Sequence, residues 1–215
     1  MIRLQLQQSE APLKILCLGS HSDDIEIGCG GSILRLLSEH QGVDITWVVF
    51  SSNHEREQEA RHSAELFLHQ AARKDVIIEH FRDGFFPFDG AKIKDFFESL
   101  KHLSPDIIFS HSRKDAHQDH RLLAELTWNT FRNHLVLEYE IPKYDGDLGQ
   151  PNFFVPLDQE AYEKKVGYLM EAFKTQRGKR WFEKETFLAL MRLRGMECNA
   201  PSGYAEGFYS RKLVI

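Results

Sequence analysis

At 215 residues, with 42% hydrophobic and 27% charged side chains, the chain is long enough for one substantial core and too apolar for extensive disorder. Its net charge of -5 comes from interspersed signs, so there is no basic footprint for nucleic acid and no nucleic-acid partner is expected. No apolar run approaches the length of a membrane span, the opening Met1 to Glu10 is too polar for a signal peptide, and the three scattered cysteines (Cys17, Cys29, Cys198) fit reduced thiols, so the expectation is a cytoplasmic protein without stable membrane insertion.

The first apolar run, Ile15 to Leu18, reads as a buried parallel strand. It leads into Gly19-Ser-His-Ser-Asp-Asp-Ile-Glu-Ile-Gly-Cys-Gly-Gly31, and Ile33, Leu34, Leu36 and Leu37 then mark an amphipathic helix. Cys29, at the start of that helix, reads as a small buried residue. Asp44 to Phe50 is a second strand, ending in Ser51-Ser52-Asn53, which suits a helix start over His54 to Gln70. Val76 to Phe81 reads as a third strand. Asp83 to Gly90 is a loop carrying Phe85, Phe86 and Phe88 and reads as a lid packed onto the core. A helix follows over Ile93 to Leu103, a strand over Asp106 to Ser110, a polar loop from His111 to His120, a helix over Leu122 to Phe131 and a strand over Leu135 to Ile141. Pro142 to Asn152 is long for a connection in a compact domain, and loops of that length are often functional. Phe153 to Val155, helices over Leu157 to Phe173 and Lys184 to Gly195, and a closing strand over Phe208 to Ile215 complete the chain. Alternating strands and helices at this spacing imply right-handed crossovers and an α/β fold, a mostly parallel sheet covered on both faces. With no repeat and no linker, residues 1–215 read as a single domain.

Two polar loops therefore share the carboxyl edge of the sheet, where such folds bind ligands. His21 and Asp24, three apart on a strand-to-helix turn, can converge on one divalent ion, with Asp23 facing the same pocket. The second loop supplies His117 and His120, separated by Gln118 and Asp119. Two imidazoles and one carboxylate leave open coordination positions, which suits a catalytic Zn²⁺ and equally a non-haem Fe²⁺. A carboxylate beside the metal is the natural general base, the role given to Asp23. The imidazole that is not a ligand would stabilise an oxyanion or protonate the leaving group, with a neighbouring Asp holding its tautomer. A nucleotide site is disfavoured, because Gly28-x-Gly-Gly lacks the dinucleotide spacing and Asp23 and Asp24 stand where a pyrophosphate would sit.

His21-Ser-Asp-Asp24 with Gly28-Cys-Gly-Gly31, His117-Gln-Asp-His120 after the Pro105-Asp106 strand, Arg56-x-x-Glu59-Ala60 and Gly203-Tyr-Ala-Glu-Gly-Phe208 together resemble the PIG-L (LmbE-like) family of zinc-dependent N-acetylglucosamine deacetylases. The resemblance implies a Rossmann-like three-layer sandwich of LmbE-like type, with His21, Asp24 and His120 as zinc ligands and Asp23 as general base. It further implies that His117 is the acid or oxyanion-stabilising group, oriented by Asp119, and that Arg56 contacts substrate. Tyr144 and Asp145 of the long loop are further candidates for sugar contacts. Ser22 stands where the family usually has Pro, and Ile25 where Glu is common, with Glu26 one position later. The implied substrate is an N-acetylated sugar or glycoconjugate, and the alternatives are another metal-dependent amidase or a non-haem iron enzyme on the same ligands. A homo-oligomer is expected by family analogy alone.

Overall fold

The computed structural model describes residues 11–214; the polar opening segment and Ile215, the last residue of the predicted closing strand, lie outside them. Side-chain alternation along the first strand, β1 (Leu13–Gly19), divides the interior in two. Ile15 and Cys17 point to one face of the sheet and Leu16 and Leu18 to the other, and each set belongs to a separate hydrophobic core.

The strands that follow are β2 (Val43–Val49), β3 (Arg73–Ile78), β4 (Ile107–His111), β5 (Leu135–Tyr139), β6 (Phe153–Leu157) and β7 (Tyr204–Ser210). They form one sheet in the order β3-β2-β1-β4-β5-β7-β6. The first five run parallel, whereas β7 lies antiparallel to both β5 and β6. Helices α1 (Asp24–Glu39), α2 (His54–Phe67), α5 (Gln159–Ala172) and α6 (Lys184–Glu197) cover one face through Ile33, Phe67, Leu169 and Met191. Helices α3 (Gly90–Leu100) and α4 (Gln118–Thr130) cover the other through Phe97 and Leu123. The result is the three-layer α/β sandwich expected from the alternation of elements.

Two strands sit earlier in the chain than their hydrophobicity suggests. β3 begins at Arg73 because Arg73 to Ile78 pair in register with Asp44 to Val49, and at the sheet edge backbone pairing extends through exposed polar residues that an apolar pattern misses. β7 runs from Tyr204 to Ser210, several residues before the expected Phe208 to Ile215, because it is inserted between β5 and β6 and buries Ala205 to Phe208.

The glycines after the first turn serve close packing. A Cβ on Gly28 would lie 2.2 Å from the Tyr139 ring, and one on Gly31 would lie 2.5 Å from Leu157. Helix α1 is thereby drawn down onto the sheet, and Asp24 in its first turn goes with it. At the same level Glu206 of β7 accepts the N–H groups of Gly31 and Ser32 and the Ser32 hydroxyl, and pairs at 2.6 Å with the buried Lys165 ammonium of α5. No helix among the described residues is long and apolar enough to cross a membrane.

Candidate metal and catalytic site

The chain leaves β1 for β2 on one side and returns through β4 on the other, so the order of the sheet reverses between β1 and β4. The ladder between these two strands stops at Cys17 and Phe109, whereas β1 stays paired with β2 as far as Gly19 and Val49. The parting of two adjacent strands at their carboxyl ends opens the crevice in which such sheets bind ligands. The turn after β1 and the loop after β4 face each other across it.

Asp24, 3% exposed in the first turn of α1, is the hub. Its Oδ2 accepts the His21 backbone N–H at 2.7 Å and lies 3.3 Å from His21 Nδ1, 3.5 Å from His120 Nε2 and 3.2 Å from His111 Nε2. Burial alone would raise its pKa, but the imidazoles of His120, His111 and His21 hold the carboxyl well below the usual carboxylate range. His21 Nδ1 and His120 Nε2 are themselves 3.1 Å apart.

The far nitrogen of each imidazole meets its own carboxylate. His120 Nδ1 lies 2.9 Å from Asp115 Oδ2, and because an ionised carboxylate only accepts, that nitrogen carries the proton and Nε2 presents a lone pair. His21 Nε2 faces Asp83 Oδ1 at 3.0 Å and Asp119 Oδ2 at 3.5 Å, which leaves Nδ1 toward Asp24. Burial would lower the pKa of His21, but the charge of Asp24 and the hydrogen bonds of Asp119, Asp24 and Asp83 raise it well above the ordinary histidine value. The pKa of His120 is lowered by burial and by its neighbour His111, so His120 is neutral. Asp115 is held in the charged form against its burial by His120, His111 and Lys143.

Three donor atoms, His21 Nδ1, Asp24 Oδ2 and His120 Nε2, thus stand 3.1, 3.3 and 3.5 Å from one another. Donors about 2.0–2.1 Å from a tetrahedral ion are separated by roughly 3.3–3.4 Å, so the spacing fits the edges of a zinc tetrahedron with one corner left for substrate or water. Histidine nitrogens backed by carboxylates are the usual support of such ligands.

Asp23, 4% exposed at the N-terminus of α1, directs Oδ1 to the Arg56 guanidinium of α2 at 2.7 Å, while its Oδ2 is buried without a hydrogen-bond partner. Arg56 therefore braces the carboxylate assigned as base. Ser22 shares a hydrogen bond with Ser52 at 3.1 Å, which ties the turn to the loop after β2 without the rigidity of a proline. His117 caps α4: its Nδ1 accepts the Asp119 N–H at 3.3 Å, so the proton sits on Nε2. Burial and the adjacent His120 and His21 lower its pKa, which makes it a neutral donor. Its ring centroid is 5.0 Å from that of His21 and 4.6 Å from that of His120.

Asp119 hydrogen-bonds His117 through its backbone N–H, and its carboxylate is engaged elsewhere. The carboxylate accepts the N–H groups of Gly84 (2.6 Å) and Phe86 (3.1 Å) and so fastens the aromatic loop beside His21. That loop also supplies Asp83, and its Phe86 is fully buried while Phe88 is 83% exposed. Tyr144, 74% exposed, and Asp145 stand at the surface. From the same loop it is Lys143 and Asp147 that turn inward: Lys143 Nζ lies 3.0 Å from Asp115 Oδ2 and 2.6 Å from Asp147 Oδ2, and Asp147 accepts the Ala116 N–H at 2.6 Å. A cavity of about 290 Å³ lies between the loop after β4 and the long loop after β5, lined by Ser112, Lys114, Asp115, Lys143, Asp147 and Tyr209 among others.

Sequence reasoning missed Asp115, Asp83 and His111. Asp115 carried one available signal, its place two residues before His117 in the same polar loop. Asp83 carried none, because only the path of the aromatic loop brings it to His21.

Residues 16–131 match the family model described as PIG-L: GlcNAc-PI de-N-acetylase. Several solved structures share the fold, three of them as follows. An N,N'-diacetylchitobiose deacetylase from Pyrococcus horikoshii is 21% identical over 92% of this chain and 83% of its own, with a TM-score of 0.73. A conserved protein of Thermus thermophilus is 20% identical over 94% of this chain and 96% of its own, with a TM-score of 0.75. The third, the 4-carboxy-2-hydroxymuconate hydratase of Pseudomonas putida, is 18% identical over 94% of this chain and 98% of its own, with a TM-score of 0.74. A deacetylase and a hydratase on one scaffold leave the reaction to be read from the side chains.

Proposed function

The chain belongs to the PIG-L family of de-N-acetylases, and on that footing we propose that it is a zinc-dependent hydrolase removing the acetyl group from an N-acetylglucosamine-type sugar or glycoconjugate. One observation carries the reading. His120 keeps its proton on the side facing Asp115, and His21 directs Nδ1 inward with Nε2 3.0 Å from Asp83 Oδ1, so two imidazole nitrogens and a carboxylate oxygen face one another at 3.1–3.5 Å. Such a set is mutually repulsive unless a cation sits among the three atoms. In the metal-free chain the cation is the second imidazole proton that His21 retains because Asp24, Asp119 and Asp83 raise its pKa; in the working enzyme it is a divalent ion held by His21, Asp24 and His120.

A zinc ion in that position supplies Lewis acidity to the acetamide carbonyl and lowers the pKa of bound water. The chain's own residues do the rest. Asp23 Oδ2, unpartnered and buried, accepts the proton of the attacking water, while Arg56 fixes the other oxygen of the same carboxylate. His117 Nε2–H points its proton to the carbonyl oxygen as that atom gains negative charge. The proton taken by Asp23 then goes to the departing nitrogen, and the C–N bond breaks to give acetate and a free amine. Asp119 holds the aromatic loop, with Phe86 and Asp83, beside His21, and the polar cavity beyond Asp115 offers room for the sugar.

The same two-His, one-carboxylate set is compatible with Fe²⁺, so the metal is decided by experiment. The deciding test is acetate release from free, nucleotide-linked and lipid-linked N-acetyl sugars after chelation and after zinc is restored. Release that a chelator abolishes and zinc restores is the expected result. A bound metal with no acetate released from any of these sugars would reassign the reaction.

A further inference from the structure

His111, at the last position of β4, is fully buried and has no role in the chemistry above. It sits where β1 and β4 part. Beyond Cys17 and Phe109 the ladder ends, and the next backbone groups of β1 on that side hydrogen-bond to side chains in place of a strand. The Leu18 carbonyl accepts the Tyr139 hydroxyl at 2.6 Å, and the Ser20 N–H donates to His111 Nε2 at 3.0 Å. Ser20 is the residue before His21, so that bond, together with the Ser51 N–H on the Ser20 carbonyl at 2.8 Å and the His21 N–H on Asp24, holds the backbone from which the first ligand springs.

The same imidazole reaches the second ligand. Its ring stacks on His120 with centroids 3.9 Å apart and planes 19° from parallel, and its Nε2 lies 3.2 Å from Asp24 Oδ2. His111 thus touches the backbone leading to one ligand and the side chains of the other two. Nε2 faces both the Ser20 N–H, at 3.0 Å, and Asp24 Oδ2. As the acceptor from Ser20 it leaves the ring proton on Nδ1, which is buried without a partner, and its lone pair is compatible with the Asp24 carboxylate when a cation sits on that carboxylate. A side chain selected only to fill this space would be apolar, since an imidazole here strands one ring nitrogen. What it provides in return is an acceptor at Nε2.

We infer that His111 is a positioning residue of the metal centre, using its Nε2 acceptor on Ser20 N–H to hold His21 in register with Asp24 and His120. Asp24, His111 and His120 lie close enough to hold an ion together, but the Ser20 N–H occupies the His111 Nε2 lone pair, so the role assigned is positioning, a role that substitution distinguishes from ligation. The inference rests on the zinc reading above.

Two variants separate the acceptor from the ring. Gln places an oxygen the same number of bonds from Cβ as His Nε2 and so keeps the acceptor without the stacked ring; Phe keeps the ring without the acceptor. Zinc affinity is measured by competition with a chromogenic chelator, alongside the visible spectrum of the Co²⁺-substituted protein and the thermal unfolding of the metal-free form. H111F exchanges the stranded ring nitrogen for an unpartnered Ser20 N–H and is expected to keep a near-native unfolding midpoint, yet to bind zinc 10–100-fold more weakly, the usual effect of losing an outer-shell partner, and to give an altered Co²⁺ spectrum. H111Q is expected to stay within about threefold of native affinity with a native-like spectrum, the span being set well inside that tenfold floor. Native affinity in H111F would overturn the assignment. Equal loss in both variants would also overturn it, and would make His111 a ligand or a stacking support instead. A native chain that binds no zinc would overturn the metal reading and this assignment together.

Discussion

Asp23→Asn isolates the proposed base from the proposed ligands. Asn keeps an oxygen to accept from Arg56, which now donates to Asp23 Oδ1 at 2.7 Å, and puts an amide nitrogen where the unpartnered Oδ2 stands. The shape of the site and its three donors, His21, Asp24 and His120, are untouched, so zinc content is expected to stay at the native level. The ability to accept a proton is gone. Loss of a positioned general base costs about 10²–10⁴ in rate, which at about 1.36 kcal/mol per tenfold is roughly 2.7–5.4 kcal/mol of transition-state stabilisation. The assay is acetate release under saturating substrate, with metal content measured on the same samples and KM determined in parallel. A kcat within tenfold of native would refute the assignment of Asp23. A fall in kcat matched by a fall in bound zinc would show that Asp23 acts as a ligand.

Other expectations concern the frame and its charges. Lys165→Met leaves Glu206 buried without its cation, although its three hydrogen bonds from Gly31 and Ser32 persist, and should cost about 3–5 kcal/mol in denaturant unfolding; a loss under about 1 kcal/mol would show the pair to be dispensable. Gly28→Ala places a methyl group 2.2 Å from the Tyr139 ring and should lower stability by about 1–3 kcal/mol, as overpacking does, while shifting Asp24 enough to weaken zinc binding; unchanged midpoint and affinity would contradict the packing role given to this glycine. In the metal-free chain, His21 has a folded pKa raised above its unfolded value, so its contribution to stability is complete below about 6.5 and is lost as pH rises through the raised value. Zinc competes with that proton, so its stabilising effect should grow over the same pH range. Unfolding midpoints from pH 5.5 to 9, taken with chelator and with zinc, would show the opposite slopes; parallel curves would remove His21 from the metal site.

Much of the arrangement was legible in residue order because its causes are local. An apolar run closed by Gly19 and Ser20 makes a strand end, the apolar stripe after Gly31 makes the helix that answers it, and alternation of such pairs yields a parallel sheet whose carboxyl edge gathers the polar turns. Resemblance then assigned His21, Asp24 and His120, and the structure brings their donor atoms within 3.5 Å of one another. Three features could be decided only by tertiary contact. Asp115 backs His120 while Asp119 fastens the loop of Gly84 and Phe86, an exchange of roles between two carboxylates four residues apart that depends on which way each points from the start of α4. Arg56 turns to Asp23, and Asp83 reaches His21 from a loop more than sixty positions away. His111 finds Ser20 only because the β1–β4 ladder stops at Cys17 and Phe109, two residues before β1 ends at Gly19. Periodicity records which face of an element is buried. The tautomer of a histidine and the partner of a carboxylate are set by atoms distant in the chain, and those the fold alone brings into place.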